Sequence, residues 1–387
     1  MIKKTIILFN LILPVFMNYS ACQNIEPIPL FNKFPKLKEK IAYVSLGDFP
    51  TPIQKWIQLG NVLGNKNIFV KRDDLSGKKQ IDGTRLFGGN KIRKLEFLLA
   101  DALNKNAKKV VTYGCAGSNH ALSTAICAKH VGLKSILMLK AQPNSKLVQN
   151  NLLLDLYYGA EIYYFPDDKS RTEATQKLIE NDNQIYFIPT GGSVPLGVIG
   201  FVNSIFELND QIKSEKLKEP DYIYVAMGSC GTTAGLLLGI QSLGLKTKIV
   251  AITVEPEEHT VNFLAETKRL FNETNQLLNS LDNNFPLVEF AENQLIINKN
   301  FCGKEYGLFT EEGIKAIELL EKTEDIVLDG TYTAKAMAAL IFDITNNVRK
   351  PEDIILFWNT YCGINFSDLI KSVNYNKLPV EFHKYFD

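Results

Sequence analysis

Short apolar runs alternate with stretches of helical periodicity along most of this chain. The runs are rich in isoleucine, valine, leucine and aromatic residues, which favours strands. The predicted strands are 68–70, 110–113, 135–139, 162–165, 185–188, 222–227, 249–254 and 354–358. The predicted helices are 92–104, 121–131, 147–157, 171–181, 196–209, 233–243, 311–322 and 334–346. Nearly continuous apolar strands separated by helices are typical of parallel sheets covered on both faces, so the predicted fold class is α/β.

Composition narrows the class of protein further. Of the 387 residues, 45% are hydrophobic and 22% are charged, which excludes a disordered chain, a coiled coil and a collagen-like fibre. At about 100–200 residues per domain, the length predicts two or three domains, or one α/β unit with two lobes. The net charge of +1 gives no support to a nucleic-acid partner. We expect the asparagine-rich segment 272–284 to be a surface insertion, and 182–183 and 214–220 to be loops.

The first 22 residues differ from the rest of the chain. Two lysines precede an apolar run over 5–16, and a serine and an alanine precede Cys22. This order predicts a secretory signal, and it resembles a bacterial lipoprotein cleavage site, which would place a lipid anchor on Cys22. The alternative is an N-terminal helix of a cytoplasmic protein. No later segment has 18 consecutive apolar residues, so we expect no transmembrane helix.

The cysteines and histidines give no pattern typical of a metal site. The six cysteines form no CxxC pair and the four histidines are scattered, so we expect no zinc site. If Cys22 carries lipid, five cysteines remain, and an odd number does not favour a disulfide framework. We therefore expect buried free thiols.

In parallel α/β sheets, ligands bind in the loops that lead from strand ends into helices. Lys91 follows Gly88, Gly89 and Asn90 at the start of a predicted helix. The positive end of the helix dipole and partial burial both lower the proton affinity of a lysine there. A lysine that forms an imine with an aldehyde needs such a neutral amine. The alternative is an ordinary surface lysine in a basic cluster.

Two further loops offer complementary chemistry. Ser118 and Asn119 precede a predicted helix, and they either cap it or gather around a carboxylate or an aromatic hydroxyl. Segment 228–232 is a glycine, serine and threonine turn that enters another helix, where amide donors and the helix dipole favour a single phosphate. The segment matches neither the G-x-x-x-x-G-K-[ST] motif of nucleoside triphosphate sites nor the G-x-G-x-x-G motif of dinucleotide sites. The alternative to a phosphate site is a turn of small residues that allows close packing of the helix on the sheet. Together with the lysine, these loops predict pyridoxal 5'-phosphate as the cofactor.

Five motifs occur in order along the chain: KRDDL at 71–75, GGNKIRKLEFLLADAL at 88–103, SNH at 118–120, IPTGGSVPLGVIGFV at 188–202 and GSCGTTAG at 228–235. With these motifs the chain resembles the D-cysteine desulfhydrase / 1-aminocyclopropane-1-carboxylate deaminase family of fold-type-II pyridoxal-phosphate enzymes, related in fold to the tryptophan synthase β-subunit. The resemblance covers about residues 40–370. It implies a homodimer of two-lobed chains with the cofactor between the lobes, the larger lobe over 40–91 and 201–387 and the smaller over 92–200.

The resemblance also implies roles for single residues. Lys91 would hold the cofactor covalently and later move the Cα proton of the substrate. Ser118 would contact the substrate carboxylate or act as a nucleophile, and Tyr306 and Tyr332 would line the substrate side. The remaining residues implied to bind the cofactor are Lys94, Ser229, Cys230, Gly231 and Thr232 at the phosphate, Asn119 at the ring hydroxyl and Thr360 at the pyridine nitrogen.

Two positions bear on the reaction. Ring-opening deaminases of the family carry Glu and Leu where this chain has Thr333 and Thr360, and both threonines resemble the desulfhydrase type. A neutral hydroxyl at the pyridine nitrogen suits elimination of a good leaving group such as thiolate. We therefore expect a lyase acting on a small D-cysteine-like amino acid, giving pyruvate, sulfide and ammonia. The alternatives are a 1-aminocyclopropane-1-carboxylate deaminase and a non-catalytic binding lipoprotein.

Three features depart from the family pattern. Gly117 stands where the family usually has Gln, Tyr361 and Cys362 replace a Gly-Gly pair, and 83–87 belongs to an insertion. Tyr361 adds bulk near the cofactor ring, and Gly117 removes a polar contact near the carboxylate. These departures leave the identity of the amino-acid substrate open.

Overall fold

The computed structural model describes residues 28–79, 85–215, 218–256 and 262–387. Its strands are β1 (Ile53–Lys55), β2 (Ile68–Lys71), β3 (Lys109–Cys115), β4 (Lys134–Lys140), β5 (Glu161–Tyr164), β6 (Ile185–Ile188), β7 (Tyr222–Met227), β8 (Lys248–Thr253), β9 (Leu295–Asn298) and β10 (Ile355–Trp358). Its α-helices are α1 (Pro29–Lys33), α2 (Pro35–Lys40), α3 (Ile57–Leu63), α4 (Lys91–Asn104), α5 (Asn119–His130), α6 (Lys146–Tyr157), α7 (Asp168–Asn181), α8 (Pro195–Glu215), α9 (Gly231–Ser242), α10 (Phe263–Leu281), α11 (Glu311–Glu324), α12 (Thr333–Thr345) and α13 (Ser367–Ile370).

These strands form two sheets. The larger sheet has the order β1-β2-β10-β7-β8-β9, and the smaller has the order β5-β4-β3-β6. All pairings are parallel except that of β1 with β2. The α/β class with parallel sheets is therefore confirmed, and each predicted strand is present within two residues of its expected bounds. The edge strands β1 and β9 were not predicted.

Helix α4, which begins with Lys91, contributes to the cores of both sheets. Phe97 packs in the larger core with residues of α8 and β7, whereas Ile92, Leu95 and Leu98 pack in the smaller core. Apolar residues on two faces of the helix explain why it is almost entirely buried. The position of Lys91 is therefore fixed by packing on both sides.

Helix α10 corrects the prediction of a surface insertion over 272–284. Phe263, Leu270, Phe271 and Leu278 recur at helical spacing and are fully buried in the larger core. This apolar stripe outweighs the weak helix propensity of the asparagines around it, because burial of large side chains supplies more free energy than propensity costs. Only the last three residues of the predicted insertion lie beyond the helix.

The two ends of the described chain pack on different cores. Leu30 and Leu37 of the first two helices are buried in the larger core. Near the C-terminus, a 3-10 turn over Val380–Tyr385 buries Phe382 and Tyr385 against the smaller sheet, although the sequence placed this segment with the larger lobe. The lobe boundaries stay a prediction. The predicted leader and the lipid anchor on Cys22 lie outside the described residues.

Within the described ranges, no helix is long and apolar enough to cross a membrane, and no cluster of three potential metal ligands is present. The five cysteines of these ranges are free thiols. Cys127, Cys230 and Cys362 are buried as expected, whereas Cys115 and Cys302 are partly exposed.

Candidate active site

A cavity of about 1130 Å³ opens between the two sheets, and its wall contains nearly every residue that the sequence selected. The wall residues from that selection are Lys91, Lys94, Ser118, Asn119, Ser229, Cys230, Thr232, Tyr306, Tyr332 and Thr360. Gly231 lies just behind the wall. The selected loops meet because each follows the carboxyl end of a parallel strand or begins a helix at that edge.

Lys91 is the first residue of α4 and is held by its neighbour Asn90. The Lys91 Nζ donates to Asn90 Oδ1 at 2.8 Å, and Asn90 Nδ2 donates to Thr232 Oγ1 at 3.2 Å. Desolvation lowers the pKa of Lys91 to about 8, although the negative charge of Asp329 raises it in part. A lysine with this pKa is partly neutral near physiological pH, which is the state required for attack on an aldehyde. The role of Lys91 as the cofactor-binding lysine stays a prediction.

The turn before Lys91 needs glycine at position 89. Gly89 has φ +90°, and a Cβ there would lie 2.7 Å from the Thr360 carbonyl oxygen. Its N–H donates to the Asp73 carbonyl, and the next N–H, that of Asn90, donates to the Thr360 carbonyl. These two hydrogen bonds hold the turn against the segments that follow β2 and β10.

A buried ionic network lies behind this turn. Arg93 donates to Asp73 at 2.7 Å and to Glu207 at 2.8 Å, and Lys71 donates to Glu207. Burial alone would raise the pKa of Glu207, but Arg93 and Lys71 hold it down to about 2. Trp358 Nε1 also donates to Asp73, at 2.7 Å. The network joins α4, α8, β2 and β10 immediately behind the lysine.

The glycine turn before α9 forms a cradle suited to a phosphate. Cys230 adopts a left-handed φ of 61°, and its thiol lies near the carbonyls of Gly228 and Phe263, so it offers its backbone rather than its sulfur. The Thr233 hydroxyl is buried and has no partner among the described residues. Such an orphaned donor beside free N–H groups at a helix start fits a bound anion.

Lys94 and Ser193 complete this cradle. Lys94 Nζ donates to the Gly191 carbonyl at 3.0 Å and to Ser193 Oγ at 3.1 Å, and Ser193 Oγ lies 2.8 Å from Ser229 Oγ. Burial and the charge of Lys91 lower the pKa of Lys94 well below its usual value. A Cβ on Gly231 would lie 2.7 Å from Lys94 Nζ, so only glycine leaves this space. Ser193 lies within the motif at 188–202, but the sequence predicts no role for this residue.

The Ser118 loop is fixed from behind by α6. Ser118 Oγ accepts the Ala121 N–H at 3.2 Å, so the capping interpretation is correct, and the side chain also faces the cavity. Asn151 Nδ2 donates to the Gly117 carbonyl at 2.9 Å and to Asn119 Oδ1 at 3.1 Å. Asn119 therefore keeps its Nδ2 donor for a ring hydroxyl. No local sequence signal marks Asn151.

Two tyrosines line the same cavity as Lys91. Tyr306 Oη and Tyr332 Oη are 2.7 Å apart, and Lys91 Nζ lies 6.0 Å from the centroid of the Tyr332 ring. Burial raises the pKa of both phenols, so both keep their protons at neutral pH. Asp329 accepts the Tyr332 N–H at 2.9 Å and the Thr333 hydroxyl at 2.7 Å, which fixes the start of α12.

The model of the family "Pyridoxal-phosphate dependent enzyme" matches residues 44–360. The chain belongs to the pyridoxal-phosphate dependent enzymes. A Thermotoga maritima protein provisionally named 1-aminocyclopropane-1-carboxylate deaminase is 35% identical over 318 residues, which cover 80% of this chain and 93% of that protein. The D-cysteine desulfhydrase of Serratia proteamaculans is 32% identical over 336 residues, covering 84% and 96%. The crystal structure of an ACC deaminase homologue superposes with a TM-score of 0.71 at 30% identity, covering 90% of this chain and all of that one.

Membership confirms the predicted fold type, the cofactor and the enzymatic nature of this protein. The observed site fits the cofactor independently of these likenesses, because it supplies a desolvated lysine, an unpartnered threonine hydroxyl at a helix start and a free asparagine amide around one cavity. The resemblance to D-cysteine desulfhydrases and 1-aminocyclopropane-1-carboxylate deaminases is likewise confirmed.

Proposed function

We propose that this enzyme is a lyase that eliminates the β-substituent of a small amino acid, D-cysteine first. The products are hydrosulfide, pyruvate and ammonia. The observation that carries the proposal is the desolvated amine of Lys91, which shares one cavity with the Tyr306–Tyr332 hydroxyl pair and lies 6.0 Å from the centroid of the Tyr332 ring. Elimination needs a base at Cα and a proton donor near the leaving group, and these groups offer both.

The residues at the cradle hold the cofactor in this proposal. Lys94, Ser229, Gly231 and Thr232, with the Cys230 backbone, would bind the phosphate, Asn119 would donate to the ring hydroxyl, and Thr360 would bind at the pyridine nitrogen. Pyridoxal phosphate, when bound, supplies an aldehyde for the lysine or the substrate amine and a ring that withdraws electrons from Cα.

Lys91 then acts as the base. Its Nζ would take the proton from Cα of the substrate, and the electron pair of that C–H bond would expel the β-thiolate, with the bound cofactor withdrawing electrons from Cα. The Tyr306–Tyr332 pair donates a hydrogen bond on the leaving-group side, since both phenols keep their protons. Ser118 contacts the substrate carboxylate. Aminoacrylate leaves the site and hydrolyses to pyruvate and ammonia.

Ring opening of 1-aminocyclopropane-1-carboxylate is the second candidate, and the names of two relatives favour it. The position of Thr333 favours elimination instead. Its hydroxyl is 1% exposed and bonded to Asp329, so no acid stands at this position to assist ring opening. A binding protein without turnover is the third candidate.

One assay separates these candidates. The chain is purified with pyridoxal phosphate, and its visible absorbance is recorded before D-cysteine, L-cysteine or 1-aminocyclopropane-1-carboxylate is added. Pyruvate with sulfide from D-cysteine supports the proposal, and 2-oxobutanoate from the cyclopropane supports ring opening. A bound cofactor with no product from any amino acid supports the binding protein and contradicts the proposal.

Assembly and location belong to the same proposal. Ile57, Val62, Ile314 and Phe342 lie exposed on the neighbouring helices α3, α11 and α12, which suits contact with a second copy in a homodimer. Light scattering of the wild type and of Phe342→Glu tests this, with a monomer expected for the variant. The leader sequence supports export with a lipid on Cys22, and fatty-acid labelling that is lost in Cys22→Ser tests that part.

A further inference from the structure

Gln142, in the loop between β4 and α6, bridges two walls of the cavity. Its Oε1 accepts the Gly117 N–H at 2.9 Å. Its Nε2 lies 3.0 Å from the point where a Cβ on Gly117 would stand and 3.4 Å from the same point on Gly307. The amide group therefore fills the gap between the loop that carries Ser118 and the loop that carries Tyr306.

The Gln142 amide is only half satisfied. Its oxygen accepts the Gly117 N–H, whereas Nε2 of this partly exposed side chain donates to no acceptor within the described ranges. A side-chain amide carries two N–H donors. Because Gln142 lines the cavity, both donors are available to an acceptor that binds there.

The backbone of Gln142 is clamped by the C-terminal turn. Tyr385 Oη accepts the Gln142 N–H at 3.0 Å and donates to the Gln142 carbonyl at 2.9 Å. The Tyr385 carbonyl accepts from Asn144 at 3.2 Å and from Gln149 at 2.8 Å. Since Tyr385 is 2% exposed and packed in the smaller core, this clamp is rigid.

We propose that Gln142 binds the carboxylate of the amino-acid substrate through Nε2, and that Tyr385 is a positioning residue that holds Gln142 in place. This inference rests on the proposed function. Ser118 offers a second donor beside Gln142: its Oγ already accepts the Ala121 N–H, so its own O–H remains to be donated. Of the groups on a small amino acid, only the carboxylate is an anion that accepts several hydrogen bonds at once.

Gly117 makes this arrangement possible. Any side chain there would meet Val148 Cγ2 at 2.9 Å and Gln142 Nε2 at 3.0 Å. The Gln142 amide therefore occupies space that is open only because residue 117 has no side chain. Gly117→Ala should displace the Gln142 amide without changing any hydrogen-bonding group.

An equilibrium titration tests the role of Gln142 without requiring turnover. D-alanine and D-alaninamide, which lacks the carboxylate, are titrated into the enzyme carrying pyridoxal phosphate, and the change in visible absorbance is followed. Gln142→Leu should weaken D-alanine binding roughly 10- to 100-fold, the range for a lost hydrogen bond to a charged group. D-alaninamide binding should stay within about twofold of wild type, since a neutral amide gains little from the same donors.

The variants distinguish failure of this inference from failure of the proposed function. Unchanged D-alanine affinity in Gln142→Leu, with normal cofactor absorbance, overturns the inference even if D-cysteine is turned over. Loss of D-alanine affinity supports it even if D-cysteine is not a substrate. If Gln142→Leu does not fold, Gln142→Glu and Gly117→Ala take its place in the test. Both must then weaken the binding of D-alanine more than the binding of D-alaninamide.

Tyr385→Phe tests the positioning role. It keeps the packed ring and removes both hydrogen bonds to Gln142, so D-alanine affinity should fall about three- to tenfold, as for loss of ordinary hydrogen bonds. The effect should disappear in the Gln142→Leu background, because the two residues act through one contact. Gln149→Ala is the matched control: it also loses a bond to Tyr385 but leaves the Gln142 backbone clamped. Additive effects of Tyr385→Phe and Gln142→Leu would contradict the positioning role.

Discussion

The hydroxyl oxygens of Tyr306 and Tyr332 lie 2.7 Å apart in the cavity that Lys91 also lines. In such a pair one hydroxyl donates to the other, and one O–H remains free to donate outward. Burial raises the pKa of both groups, so this donor persists across the physiological pH range. In the proposed reaction, this donor would assist the leaving group while Lys91 takes the Cα proton.

Removing one hydroxyl should slow the chemical step. We expect Tyr306→Phe to lower kcat for elimination about 100-fold, at the lower end of the usual effect of a positioned proton donor. The visible absorbance of the cofactor should be retained, because neither tyrosine belongs to the proposed cradle. Tyr163→Phe, at a side chain that is 47% exposed, is the control. Equal kcat values for Tyr306→Phe and wild type would exclude the pair from catalysis.

Lys91 should react with aldehydes at unusually low pH. Its pKa is lowered to about 8 by desolvation, so in the cofactor-free chain the neutral amine forms as pH rises through 8. Borohydride trapping of added pyridoxal phosphate should increase with a midpoint near pH 8, as measured by peptide mass spectrometry. Lys105, whose side chain is 65% exposed, is the control for the reactivity of an ordinary surface lysine with the same reagents. Lys91→Ala should lose both the trapped peptide and the absorbance of lysine-bound cofactor. Retention of that absorbance would contradict the assignment.

The buried network should make stability sensitive to Glu207. Glu207→Ala leaves the charges of Lys71 and Arg93 uncompensated, and we expect a loss of about 3–5 kcal/mol in the free energy of unfolding. Denaturant titration measures this. Glu266→Ala, which breaks a partly exposed pair with Arg269, should cost less than about 1 kcal/mol. Similar losses in the two variants would show that the network does not stabilise the fold.

The same carboxylate predicts a pH dependence of stability. The pKa of Glu207 is about 2 in the folded protein, below its usual value of 4.5. A lowered carboxyl pKa contributes stability that is fully present above the unfolded value and is lost as pH falls through the folded value. The stability difference between wild type and Glu207→Gln should therefore shrink between pH 4.5 and pH 2. A constant difference over that window would contradict the ion pairing.

Tyr361 should restrict the size of the substrate. Its ring lines the cavity directly after Thr360, and the neighbouring Cys362 thiol accepts the Gly88 N–H at 3.1 Å, which fixes this turn. Tyr361→Gly should raise kcat/KM for larger amino acids relative to D-cysteine by about tenfold, a usual gain when a pocket is enlarged. Tyr361→Phe keeps the bulk and should retain the wild-type ratio. If both variants shift the ratio equally, the hydroxyl rather than ring size decides specificity.

Much of the fold followed from local pattern. Strands β7 and β8 are apolar along nearly their whole length, and helices lie between them and the other strands in the sequence. This combination is typical of a parallel sheet that is covered on both faces, so the local pattern was enough to predict it. Lys91 could be selected for a similar reason, because a glycine turn, a lysine and an amphipathic helix are adjacent in sequence. The short edge strands β1 and β9 have few residues and partly exposed faces, and no local pattern distinguishes them from loops.

Tertiary structure alone decided which side chains complete the site. Ser193 meets Lys94, Asn151 meets Asn119, and Gln142 meets Tyr385 across separations of 99, 32 and 243 residues. A hydrogen bond between such distant positions leaves no periodicity in the sequence, since its geometry depends on how two sheets and their helices pack. The sequence by itself determined the layers of the fold and the cofactor, and it singled out Lys91. The packing of the two sheets and their helices decided how far burial lowers the pKa of that lysine and which side chains line the cavity beside it.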